Sequence, residues 1–141
     1  MLRALSKFIS SPKFNRQIMT KIVNLHATPP NSQENNNNNT KIYTENHDWL
    51  LDCGKYYKLG ISNQALEELS EVIYVEFYPE NNYELDETMV AIESVKAVAD
   101  IRAPFNCEII EKNEALEEDY SCLNENPECE DSSWILKLKK L

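Results

Sequence analysis

The sequence predicts a mainly β fold, a compact sandwich or flattened barrel with two short helices behind a disordered N-terminal extension. Three observations predict it. From about residue 41 onward, short apolar runs rich in β-branched residues alternate with polar positions and are separated by turn-forming residues. Only two segments carry a helical pattern instead. Before about residue 40 the composition is basic and then asparagine-rich, too polar to order itself by burial.

The chain has 141 residues, which suits one domain plus an appendage. Residues 1–33 contain Arg3, Lys7, Lys13, Arg16 and Lys21 and no acid. Serines and scattered apolar residues lie among these bases, but no apolar run is long enough to span a bilayer. No apolar segment with a small-residue cleavage site marks a secretory signal. Such a leader predicts a mitochondrial transit peptide and hence the mitochondrial matrix, with a plastid as the second address. The rival reading is a basic tail for nucleic acid. Residues 41–141 carry 9 basic and 23 acidic side chains, and that surface repels phosphate. Neither a nucleic acid nor a membrane is therefore expected as a partner. Pro29-Pro30 and the run Asn35 to Asn39 read as a linker. The expected division is residues 1–40, transit peptide and linker, and residues 41–141, the folded domain.

In the body, Trp49, Leu51 and Cys53 alternate with Leu50 and Asp52, as in a half-buried strand. Gly54 marks a turn, and Tyr57, Leu59 and Ile61 supply the returning strand of a hairpin. Ser62 is a good N-cap for a short helix that buries Ala65, Leu66 and Leu69. The run from Glu71 to Phe77 reads as a strand, apolar on both faces, and predicts a central position. Residues Tyr78 to Asn82 form a turn. Met89 to Ile92 and Ala97 to Ile101 are two more strands, and Glu108 to Glu111 another. Asn113 reads as the cap of a second helix from Glu114 to about Leu123, with Glu114, Glu117 and Glu118 where the helix dipole favours acid. Asn126-Pro127 ends it. In the closing strand Trp134, Leu136 and Leu138 face inward, and both tryptophans should weigh heavily in so small a core. Only Gly54 and Gly60 occur in the whole chain, so Asn81, Asn82 and Asn106 are expected to fill left-handed turn positions. Cys53, Cys107, Cys122 and Cys129 form no closely spaced pair, and His47 is the one histidine in the body. No metal site is expected, and the thiols should be free.

The segment that organises the body is Glu93-Ser94-Val95-Lys96-Ala97. It joins two apolar strands by a tight turn with the lysine at or near the tip. Lys96 is isolated, since the nearest bases in sequence are Lys58 and Arg102. A lone solvent-facing amine on a fixed hairpin suits a prosthetic group on a swinging arm. The plain alternative is a lysine that only keeps an edge soluble.

The stretch Glu93 to Asp100 resembles the lipoyl-attachment segment of the glycine cleavage system H-protein family, in which Glu-Ser-Val-Lys-Ala is followed by a short residue, Ser and Asp. Ala99 stands in the Ser place. Biotin carriers have Met on both sides of the lysine, and 2-oxo-acid dehydrogenase lipoyl domains have Asp before it. Here the neighbours are Val95 and Ala97. Tyr43 to Trp49 resembles the family opening Tyr-x-x-x-His-Glu-Trp, with Asp48 in the Glu place. Ser70 stands where the family ends its first helix with Gly. The resemblance runs to about Leu138 and stops short of the family's further C-terminal helix.

The resemblance implies a barrel-sandwich hybrid, the fold of lipoyl and biotinyl carriers. It implies lipoate bound covalently to Lys96, and a carrier that breaks no bond itself. Its arm would visit glycine decarboxylase (P protein), aminomethyltransferase (T protein) and dihydrolipoamide dehydrogenase (L protein), after loading by a lipoylating enzyme. Glu93 would guide that enzyme, or else be a solvated strand-end charge. Asp48 and Asp100 would hold the cationic aminomethyl arm in a cleft, or else cap turns. Three rivals remain on the residues: a lipoate relay serving 2-oxo-acid dehydrogenases, an unmodified binding module of the same fold, and an enzyme built on His47, Asp48 or a cysteine. The last lacks an activated-nucleophile pattern.

Overall fold

The computed structural model describes residues 40–141. The expected leader and nearly all of the linker lie outside the described residues. The fold is mainly β. The strands are β1 (Lys41–Tyr43), β2 (Asp48–Asp52), β3 (Tyr57–Ile61), β4 (Val72–Phe77), β5 (Asn82–Tyr83), β6 (Thr88–Ser94), β7 (Val98–Arg102), β8 (Cys107–Lys112) and β9 (Leu136–Lys140). Helix α1 spans Asn63–Leu69 and helix α2 spans Ser121–Glu125, with a 3-10 turn at Glu114–Glu117. The strands form a six-stranded sheet in the order β1-β2-β3-β9-β8-β5 and a three-stranded sheet in the order β4-β6-β7.

The core lies between the sheets. Leu50, Leu59, Leu136 and Leu138 from the larger sheet meet Val75, Ile92 and Ile101 from the smaller, and Leu69 of α1 and Leu116 of the 3-10 turn join the same cluster. Each large side chain buried here contributes about 1.5–3 kcal/mol of transfer free energy. β6 lies in the middle of the smaller sheet, and Met89 through Ile92 are all buried. The lysine turn therefore grows out of the best-held strand of that sheet.

The first hairpin forms as expected, with Asp52 opposite Tyr57 and the Gly54 amide donating to Asp52 Oδ1. Gly54 takes φ +85°. Gly60 is needed for a different reason. Trp49 pairs with it across the hairpin, and a Cβ at residue 60 would stand 2.4 Å from the indole Cζ2. Ser62 caps α1 by accepting from the Ala65 amide at 3.2 Å.

Several expectations are corrected. Leu50, not Trp49 or Leu51, faces the core; the other two lie on the opposite face and are still buried. That face is roofed by the chain after α2. The Trp49 indole N–H donates to Pro127 O at 2.9 Å, and Lys58 Nζ donates to Glu130 O at 2.9 Å. Trp134 is only half-buried, with the Lys137 ammonium 4.4 Å from its ring centre, while Ile135 takes the inward place. β4 is an edge strand, not a central one, and it exposes Ile73 and Tyr74. The expected second helix breaks in two around Glu118. Asn113 does not cap it; its side-chain amide donates to Ser132 O and Trp134 O. The stretch at Asn82, read as turn, pairs with β8 as β5.

The left-handed positions are also not the expected asparagines. Among the described residues the non-glycine positive-φ positions are His47, Ser70 and Asp86. Ser70, at φ 75° and ψ −74°, is the centre of a γ-turn closed by the Glu71 amide donating to Leu69 O at 3.1 Å. This form is rare and strained for a residue with a Cβ. Ser70→Gly should therefore stabilise the fold by about 1 kcal/mol, read as a higher melting temperature. An unchanged or lower value contradicts the strain.

Candidate functional site

Lys96 stands at the tip of the turn between β6 and β7 and is exposed. Two-residue hairpin loops usually need positive φ to match the twist of their strands. Neither Val95 nor Lys96 has it. A side chain replaces the missing geometry. The Ser94 hydroxyl donates to Ala97 O at 3.0 Å, and its oxygen accepts from the amides of Lys96 at 3.1 Å and Ala97 at 2.9 Å. The Ser94 amide donates to the same Ala97 carbonyl at 2.8 Å. One hydroxyl thus uses its whole capacity, one donor and two acceptor sites, inside the turn. The Val95 amide donates to Glu71 O at 3.3 Å, tying the tip to the start of β4. Among the described residues the Lys96 ammonium has no ion-pair or side-chain hydrogen-bond partner.

The expected site residues fall into two groups. Glu93, half-buried, pairs with Tyr74 on one side and Val98 on the other. Asp100 lies two residues beyond Val98 and so shares that outer face of the smaller sheet. It is buried, and its Oδ2 is 3.7 Å from Arg102 Nη2. Arg102 in turn donates to Asp86 O at 3.1 Å. Asp48 begins β2 in the other sheet, with its amide bonded to Thr44 Oγ1 at 3.2 Å. Only 4% of Asp48 is exposed, and burial pushes its carboxyl well above the usual aspartate range. Among the described residues no nearby cation offsets that loss of solvation. Glu93, Lys96 and Asp100 therefore belong to one hairpin, whereas Asp48 lies in the other sheet.

Sequence reasoning missed Ser94, whose role depends on a turn geometry that its neighbours' φ angles decide. It also missed Glu71, which acts through its backbone. All four cysteines are free. Burial raises the Cys107 thiol to about 11. No group of three or more potential metal ligands occurs among the described residues, nor any helix long and apolar enough to cross a membrane.

Comparison with known proteins decides the family. Residues 41–141 match the model of the glycine cleavage H-protein. The chain belongs to the glycine cleavage H-protein family. It is 43% identical over 101 residues to a glycine cleavage system H protein of Psychromonas ingrahamii, covering 70% of this chain and 78% of that one. It is 45% identical over 101 residues to a probable glycine cleavage system H protein of Thermococcus kodakarensis, covering 69% and 72%. The crystal structure of a glycine cleavage system H protein from Mycobacterium marinum superposes with a TM-score of 0.64 at 23% identity, covering 72% of this chain and 84% of that one, which supports the barrel-sandwich fold. As an H-protein family member the chain is a carrier component of the glycine cleavage system and not an enzyme. The mitochondrial matrix address, and the plastid alternative, are corrected here: relatives such as those of Psychromonas ingrahamii and Thermococcus kodakarensis are bacterial and archaeal, which points against them.

Asp48 gives the fold a pH dependence. Its folded-state value is raised, so the folded protein holds this proton more tightly than the unfolded chain. Stability should fall as pH rises from the ordinary aspartate value through the raised one, and then level off. Asp48→Asn should melt higher than wild type at neutral pH and equally near about pH 3. A difference that persists unchanged at the acid end contradicts this.

Proposed function

We infer that Lys96 carries lipoate in amide linkage, guided into place by Glu93, and that the chain shuttles the aminomethyl group of glycine. The observation that carries this reading is an isolated amine exposed on a clamped β-turn. The residues fit the group. The amine is unpaired among the described residues, and the turn root is fixed by Ser94 and Glu71. Held by Lys96, the lipoyl group would supply a dithiolane able to carry the aminomethyl group among glycine decarboxylase (P protein), aminomethyltransferase (T protein) and dihydrolipoamide dehydrogenase (L protein).

The chain's own residues supply position and charge. A rigid root with a flexible arm raises the effective concentration of the arm's end at each partner. The acidic body steers toward basic patches on those partners. Among the described residues Asp48 is a desolvated carboxyl without a compensating cation, and Asp100 lies 3.7 Å from the Arg102 guanidinium. Both would be stabilised as anions by a cationic amine on the arm, so they protect the loaded form.

The test is glycine-dependent NAD reduction with purified P, T and L proteins. The lipoylated wild type should support it and Lys96→Arg should not. Asp48→Ala and Asp100→Ala should lose the loaded group to hydrolysis several-fold faster. A lipoylated wild type that is inert with glycine but passes lipoate to a 2-oxo-acid dehydrogenase would overturn the reading in favour of a relay.

A further inference from the structure

Acylation and the later steps make different demands on the surface around Lys96. Whatever acylates the lysine must bring a carbonyl carbon to Nζ, so it has to cover the turn. An enzyme acting at the far end of a long arm does not. The surface beside the turn is unusual. Edge strand β4 carries a bulge between Val72 and Tyr74, where Val72 pairs with Ser94 and Tyr74 with Glu93. Ordinary alternation sends one of two neighbours inward, but the bulge turns both Ile73 and Tyr74 out, 48% and 46% exposed. Val95 at the tip is 61% exposed. The Val95–Glu71 bond holds the tip against β4, so these three apolar side chains move with the lysine turn.

The setting of this patch specifies what covers it. Glu71 and Glu76 are exposed beside it, and Glu93 is half-buried. A groove of about 370 Å³ continues along Tyr74 to Phe77, walled by Glu117. Between Lys58 and Arg102 in sequence the one base is Lys96, whose charge disappears on acylation. The upper part of the β4 edge is closed by Asn124, whose side-chain amide pairs with both the N–H and the C=O of Val72 at 2.8 and 3.0 Å. The open part is thus apolar, acid-rimmed and next to the amine.

We propose that Ile73, Tyr74 and Val95 are the docking contact for the acylating enzyme, which meets them with an apolar surface inside a basic rim. This rests on the reading that Lys96 is the lipoyl site. The reaction it serves forms an amide N–C bond at Nζ and breaks the acyl–phosphate C–O bond of a lipoyl adenylate. AMP leaves with the electron pair, and the amine releases a proton to solvent.

The probe is a lipoate–protein ligase supplied with lipoate and ATP, with acylation followed by intact mass. Ile73→Ser/Tyr74→Ser should raise KM about tenfold and leave kcat within about twofold, as loss of an interface anchor does. Ile110→Ser, an equally exposed apolar residue on β8, should change neither. Labelling of Lys96 by a small succinimidyl ester should be the same in every variant, which separates docking from folding and from amine reactivity. Glu71→Gln/Glu76→Gln should raise KM and flatten its dependence on salt. A wild-type KM in the Ile73/Tyr74 variant overturns the docking proposal alone. A wild type that the ligase leaves unacylated at Lys96 overturns the lipoyl reading and the docking proposal with it.

Discussion

The site depends on one hydroxyl. Ser94 takes two backbone amides and gives its proton to the carbonyl across the turn. Without it, a two-residue loop lacking positive φ would leave the Lys96 and Ala97 amides to water and let the strands splay. Hydrogen bonds of this kind contribute about 0.5–1.5 kcal/mol each in net terms, so three on one atom are enough to choose one turn geometry over others. The choice is made at the root of the lysine, where precision matters, and leaves the ammonium unconstrained.

The clamp is in turn anchored to the body. Glu71 reaches the Val95 amide because the chain leaves α1 through the strained γ-turn at Ser70. Asn124 holds Val72 next to it. Behind these lie the fully buried residues of β6, which make the turn an extension of the core. A carrier needs this division. Ordering entropy is spent on the root during folding, and the exposed lysine side chain keeps its freedom.

Much of this was legible in the residues. The lysine turn, the Gly54 hairpin and the Ser62-capped helix each follow from local chemistry that tertiary contacts reinforce. The failures have physical causes. β1 and β5 are three and two residues long and show no period. Trp49 to Leu51 are buried on both faces because a distant segment roofs the sheet, and alternation cannot reveal a roof. Asn113 looked like a cap, but two carbonyls of the chain before β9 claim its amide. Left-handed backbone fell on His47 and Asp86, residue types that tolerate it as asparagine does, and on Ser70, where closure of the turn overrides residue preference. Within the site, Lys96 was visible from its isolation, whereas Ser94 acts through geometry that no spacing encodes.

The account therefore rests on a serine side chain holding an amine out from a β-corner. Amide hydrogen exchange in Ser94→Ala, with Ser94→Thr alongside, tests it most directly. Protection at Lys96 and Ala97 should collapse in the alanine variant and return largely with threonine, while the amides of β6 change little. Unaltered protection at both positions in Ser94→Ala would show that something else closes the turn, and would contradict the account.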